Sequence, residues 1–298
     1  EALQIPLAPK AASYPLSPAQ RRMWLMYKYD EAGTVYNISG AYHVEGQLDR
    51  PALEHSIQQV IDRHEALRTI FVQEAGEARQ VIQEDWALDA YLHWEDRREM
   101  ATVSERQLIE TALDQAFVLQ SGPLLRMHVW HLDEAKFLLL FNVHHIVADA
   151  QSLGLLIDEW QGAYSARLQG QAMDWSPLRL QYKDFTHWQR SLGQQSAMQV
   201  HREYWQTRFG GEVPILDLAT DWPRGASLSF AGAELACTIP PALERRLRQV
   251  GQREGSTLFA ILIASVQTLL YRLSGQPDLI VGTALAGQIG RASCRERV

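Results

Sequence analysis

The sequence predicts a mixed α/β fold, and three observations carry that expectation. Residues 137–143 (FLLLFNV) form a continuous apolar run of one strand's length, which reads as a strand buried on both faces. Leu53, Ile57, Val60 and Ile61, and again Leu153, Leu156, Ile157, Trp160 and Tyr164, recur at the spacing of a helix with one apolar face. Strand-like and helix-like segments alternate along the chain, the pattern of a sheet covered by helices.

Each element follows from a local signal. Residues 41–44 read as a strand, and Pro51 opens the helix that carries Leu53 to Ile61. A strand is expected at 67–72, and Ser104 caps a helix running to about Phe117. Strands at 124–132 and 136–143 flank the turn Asp133-Glu134. Further helices fall near 182–192 and 197–209. Residues 215–226, with Pro223 and Gly225, read as a crossover. A strand at 234–239, two helices and a last strand at 279–282 complete the pattern.

The ends differ from the middle. Residues 1–16 contain Pro6, Pro9 and Pro15, do not begin with methionine, and read as an inter-domain linker in a longer polypeptide. Residues 290–298 switch abruptly to an arginine-rich stretch and read as a non-native tail.

Composition narrows the function classes. A chain of 298 residues, 46% hydrophobic, can bury a full core in one large or two smaller domains. A net charge of -7 argues against nucleic acid or an anionic membrane as partner. Cys237 and Cys294 make neither a disulfide framework nor a zinc spacing, so the expected compartment is the reducing cytoplasm. The start lacks the features of a signal peptide. The apolar stretch 258–271 is too short to span a bilayer and reads as a core helix.

The chemistry concentrates at residues 144–150 (HHIVADA), where the buried strand ends and a helix begins. Adjacent strand residues point to opposite faces, so only one of His144 and His145 can enter a given cavity. That argues against a metal held by the pair, and no further ligands are evident. Asp149 suits the N-cap of the following helix. His128 and His131 also point opposite ways and read as packing or surface. Residues 63–71 (RHEALRTIF) place Arg63 and Arg68 at a helix-to-strand junction, either as cations complementing a helix C-terminus or as partners of a buried carboxylate such as Asp149. No Gly-x-Ser-x-Gly elbow, phosphate loop, dinucleotide fingerprint or catalytic cysteine context is present.

Five segments in order resemble the condensation domains of nonribosomal peptide synthetases. They are residues 16–24 (LSPAQRRMW), 63–71, 144–150 (against the family's HHxxxDG), 182–189 (YKDFTHWQ) and 281–286 (VGTALA). The resemblance implies an α+β sandwich like that of chloramphenicol acetyltransferase, with two lobes in a V. Residues 17–175 would form the N-terminal lobe and 176–289 an incomplete C-terminal lobe. It implies amide formation between an upstream carrier-bound aminoacyl or peptidyl thioester and the amine of a downstream carrier-bound aminoacyl group. The implied partners are two peptidyl carrier domains and a neighbouring adenylation domain. No cofactor is bound by the domain itself, because the carriers deliver their own phosphopantetheine arms.

By the same resemblance His145 faces the reactants, as base or as hydrogen-bond donor. His144 is structural, and Asp149 holds the loop through an arginine, with Arg63, Arg68 and a family arginine missing from this chain as the candidates. Two positions depart from the family. Ala150 replaces a glycine, which strains the backbone only if φ is positive there. Gln288 stands where many relatives carry arginine. An epimerisation domain, a coenzyme A-dependent acyltransferase and a non-catalytic recruitment platform are the rival readings. Tyr36-Asn37-Ile38 and residues 182–189 lean towards condensation with an L-configured donor, and the histidine pair leans away from a platform.

Overall fold

The computed structural model describes residues 5–29, 33–99, 103–173, 175–192, 196–223, 233 and 235–283. The chain divides into two compact units, the second spanning Ser196–Ala284. The described residues 176–192 group with the first unit. Tyr182 and Phe185 account for this, because they bury themselves against Ala19 and carry their helix with them.

In the first unit the elements run β1 (Tyr14–Pro15), α1 (Pro18–Tyr27), β2 (Asn37–Glu45), α2 (Arg50–Arg63), β3 (Thr69–Glu74), β4 (Glu77–Ile82), β5 (Leu92–Asp96), α3 (Glu105–Leu113), β6 (Leu125–Asp133), β7 (Lys136–His144), α4 (Ala150–Leu168) and α5 (Tyr182–Leu192). The main sheet has the order β2-β7-β6-β5, antiparallel except for the parallel β5–β6 pair. A smaller antiparallel sheet has the order β1-β4-β3. Its hairpin turns on Ala75 and Gly76, both at positive φ (49° and 84°), as a two-residue turn matched to strand twist requires.

Alternation along β6 and β7 sorts their side chains into two layers. Met127, Val129, Phe137, Leu139, Phe141 and Val143 form one layer of the main core. They pack with Leu53, Ile57 and Ile61 of α2 and Leu153 of α4. On the opposite face Trp130, Leu138 and Leu140 pack with Leu108 and Ala112 of α3. Ser104 caps α3 through a reciprocal bond pair with Gln107, and the helix ends at Leu113, short of Phe117.

His128 and His131 lie on opposite faces of β6, paired across the ladder with Leu140 and Phe137 respectively. The His131 ring stacks on Phe137 at 4.2 Å. His128 stacks on Trp130 and lies 4.8 Å from the His93 ring. Burial first, then His93 and Arg126, push its pKa down from 6.5 to about 4. The unfolded chain therefore binds this proton before the folded one does. Stability is expected to fall as pH drops from 6.5 towards 4. Urea midpoints measured across that range check this, and His128→Leu should flatten the dependence.

The second unit contains α6 (Ser196–Phe209), α7 (Pro241–Arg253) and α8 (Leu258–Ser274). The strands expected at 234–239 and 279–282 do not form among the described residues, where 235–239 and 279–282 are irregular. A strand needs a neighbour to take up its backbone N–H and C=O groups, and the described part of this unit offers none. Residue 234, residues 284–286 of the fifth motif, Gln288, Cys294 and the tail 290–298 lie outside the described residues. No single described helix is long and apolar enough to cross a membrane.

Candidate functional site at the end of strand β7

The site begins where the main sheet ends. His144 is the last residue of β7 and is 2% exposed, and its backbone N–H donates to the Leu124 carbonyl at 2.9 Å. Its Nδ1 accepts from the Ile146 N–H at 3.1 Å, so the neutral ring carries its proton on Nε2. The Phe117 ring meets it edge-on at 6.2 Å. These contacts fix the turn that presents the next residue.

His145 is half-buried. Its backbone N–H donates to the Tyr36 carbonyl at 2.7 Å, which ties the turn to the start of β2. Its Nδ1 is buried and has no hydrogen-bond partner among the described residues. The two histidines thus occupy different environments, one locked into the fold and one not.

Asp149 is the N-cap of α4. Its Oδ1 accepts from the Ser152 N–H at 2.7 Å and from the Ser152 hydroxyl at 2.6 Å. No arginine pairs with it among the described residues, which corrects the expectation placed on Arg63 and Arg68. Arg63 instead donates from Nε to Glu159 at 3.2 Å and from Nη1 to the Ser176 carbonyl at 2.9 Å. Arg68 donates from Nη1 to the Gln83 carbonyl at 2.9 Å. The reason is topological: α4 packs along α2, so its third turn, not its N-cap, carries the carboxylate that the end of α2 meets. Replacing Asp149 by alanine is expected to cost about 1 kcal/mol through loss of the cap. Asparagine keeps the accepting oxygen and should cost less, as thermal unfolding of both variants will test.

Ala150 is the first residue of α4 and is exposed. Among the described non-glycine residues only Ala75 has positive φ, so alanine at 150 is unstrained. Exchange of the family glycine therefore carries no backbone penalty here.

Glu159 is a residue that sequence reasoning missed. It accepts from Arg63 and lies 2.5 Å from Nε2 of His64, which is 3% exposed. Burial opposes its ionisation, but the His64 hydrogen bond and the charges of His64 and Arg63 hold its carboxyl below the ordinary value. Its position on the helix after the histidine pair was the available signal, without a partner to point to.

Residues 182–189 meet two of the other motifs. The Tyr182 and Ser17 hydroxyls lie 2.9 Å apart. Burial pushes the Tyr182 phenol up to about 12; the Ser17 bond works against this and the Asp149 charge adds to it. Lys183 pairs with Glu65 at 2.7 Å, and Gln181 donates to the Arg63 carbonyl at 3.0 Å. Segments far apart in sequence therefore meet at α5.

The family described as Condensation domain matches residues 10–293. The chain belongs to the condensation-domain family. It is 37% identical to tyrocidine synthase 3 of Brevibacillus parabrevis over 281 residues, covering 94% of this chain and 4% of that protein. It is 36% identical to tyrocidine synthase 2 of the same organism, covering 93% of this chain and 7% of that one. This condensation-domain chain is also similar in structure to the X-domain from teicoplanin biosynthesis, with TM-score 0.79 and 27% identity over 91% of this chain and 59% of the other. That X-domain has also been solved in complex with OxyB. The first condensation domain of the calcium-dependent antibiotic synthetase shares the fold at TM-score 0.68 and 19% identity, over 91% of this chain and 63% of that one. The chain thus spans a small part of its curated relatives and about three fifths of the solved domains. The fold is that of the chloramphenicol-acetyltransferase-like condensation domains.

Proposed function

We propose that this chain is part of a condensation domain that forms an amide between a carrier-bound aminoacyl or peptidyl thioester and a carrier-bound amine. The observation that carries the reading is the unequal placement of the histidine pair: His144 is locked into the turn, and the Nδ1 of His145 is left without a partner among the described residues. His145 is then the group that meets the reacting centre, while His144, Asp149 and Glu159 hold the turn and its helix. Holding two tethered reactants in register supplies much of the rate in such a reaction. The upstream and downstream peptidyl carriers bring the phosphopantetheine arms, an adenylation domain neighbours the domain, and the setting is cytoplasmic. An L-configured donor is the finer reading.

Incubating a complete domain with two loaded carrier domains tests this. New amide supports the proposal, and carrier binding without product rejects it. The second outcome would favour a recruitment platform, a reading supported by the similarity to an X-domain solved in complex with OxyB.

A further inference from the structure

We infer that the buried carboxylate of Asp184 docks residues 5–13 on the first unit, and that this docking fixes the point from which an upstream carrier domain is tethered. The docking stands on geometry; its positioning role rests on the reading above and deepens it. Asp184, in the first turn of α5, is 2% exposed. Its Oδ1 accepts from the backbone N–H of Ala8, 176 positions away, at 2.7 Å, and its Oδ2 accepts from the Gln181 N–H at 2.8 Å. A buried carboxylate is costly unless its oxygens are bonded, so Asp184 needs the Ala8 N–H as much as the segment needs Asp184. Ile5 packs against the cluster of Ala19, Tyr182 and Phe185, and the Ala11 N–H donates to the Tyr14 hydroxyl at 3.1 Å. The Ser13 carbonyl accepts from Arg79 at 3.0 Å.

Ile5, Ala8 and Ala11 recur every three residues, the period of a polyproline II helix, which sets them along one edge. Pro6 and Pro9 bias Ile5 and Ala8 to extended backbone and reduce the entropy lost on docking. The Ala8–Asp184 bond lies ahead of the residues that the family matches, 10–293. A carrier tethered at Ile5 has a fixed anchor. Once the segment is released, the tether gains the residues up to Tyr14. Effective concentration falls roughly as the −3/2 power of mobile length, so a doubling lowers it about 3-fold.

Ala8→Pro removes the donor N–H and keeps the extended backbone. Asp184→Asn sets an amide NH₂ against one of the two N–H groups. In a complete domain with its upstream carrier fused, trypsin is expected to cut after the exposed Lys10 about 10-fold faster in both variants than in the parent. Cleavage of both at the parent rate overturns the docking. Amide formation by Ala8→Pro should fall about 3-fold with the fused carrier and hold the parent rate when the same carrier is supplied as a separate protein. Equal slowing with both carriers rejects the positioning role, as does an unchanged rate with the fused one. The cleavage test involves no catalysis, so a parent that protects Lys10 but forms no amide strikes the reading above and leaves the docking standing.

Discussion

Exchanging His145 for alanine in a complete domain is expected, on the role proposed for it, to slow amide formation by about 10²–10³-fold, the usual effect of removing one group that acts at the reacting centre. The residual rate should be substantial, because two tethered reactants remain in register. Stability should change little, since the buried Nδ1 makes no hydrogen bond to the described residues. His144→Ala is the contrast. It removes a side chain from a residue that is 2% exposed, together with its bond to the Ile146 N–H and its packing on Phe117. Its loss should appear in the unfolding midpoint as well as in rate. Single-turnover kinetics and thermal unfolding of the two variants separate these effects. An unchanged rate for His145→Ala would remove this ring from the chemistry.

Glu159→Ala is expected to destabilise the first unit by about 1–3 kcal/mol, between the effect of an exposed ion pair and that of a fully buried one, because the pair is partly buried. The side chains of Arg63 and Glu159 are 14% and 15% exposed, and that of His64 is 4% exposed. Removing the carboxylate leaves the His64 ring without the acceptor at Nε2 and takes the ion-pair partner from Arg63. Glu159→Gln keeps an oxygen in place and should lose less. The pH dependence has a definite sign. The folded-state pKa of Glu159 lies below the ordinary 4.5, so the stabilisation is present above 4.5 and fades as pH falls through the folded value. This limb lies lower than the one assigned to His128 and should survive His128→Leu. Denaturant unfolding across the acid range checks both, and a midpoint unchanged by Glu159→Ala would reject the structural role.

The elements most legible in the sequence were those with a strong pattern. The run at 137–143 became β7, and the stripes through Leu53 and Leu153 became α2 and α4. Of the smaller sheet only β3 was legible, from the run at 67–72, and its partners were not. Strand β4 carries Glu77, Arg79 and Gln80 and is only partly buried, so it lacks the alternation that marks a strand facing a core. Strand β1 is two residues long and exists through its pairing with β4.

By itself the sequence determined the apolar strand, the helix after it, the capping role of Asp149 and the different roles open to His144 and His145, because each depends on residues within a few positions of one another. Only the tertiary structure decided that Arg63 belongs to Glu159 and not to Asp149, that residues 182–189 join the first unit, and that one imidazole is pinned while its neighbour is not. Those outcomes depend on which distant segments share a low-dielectric interior, and a linear pattern carries no distance between them.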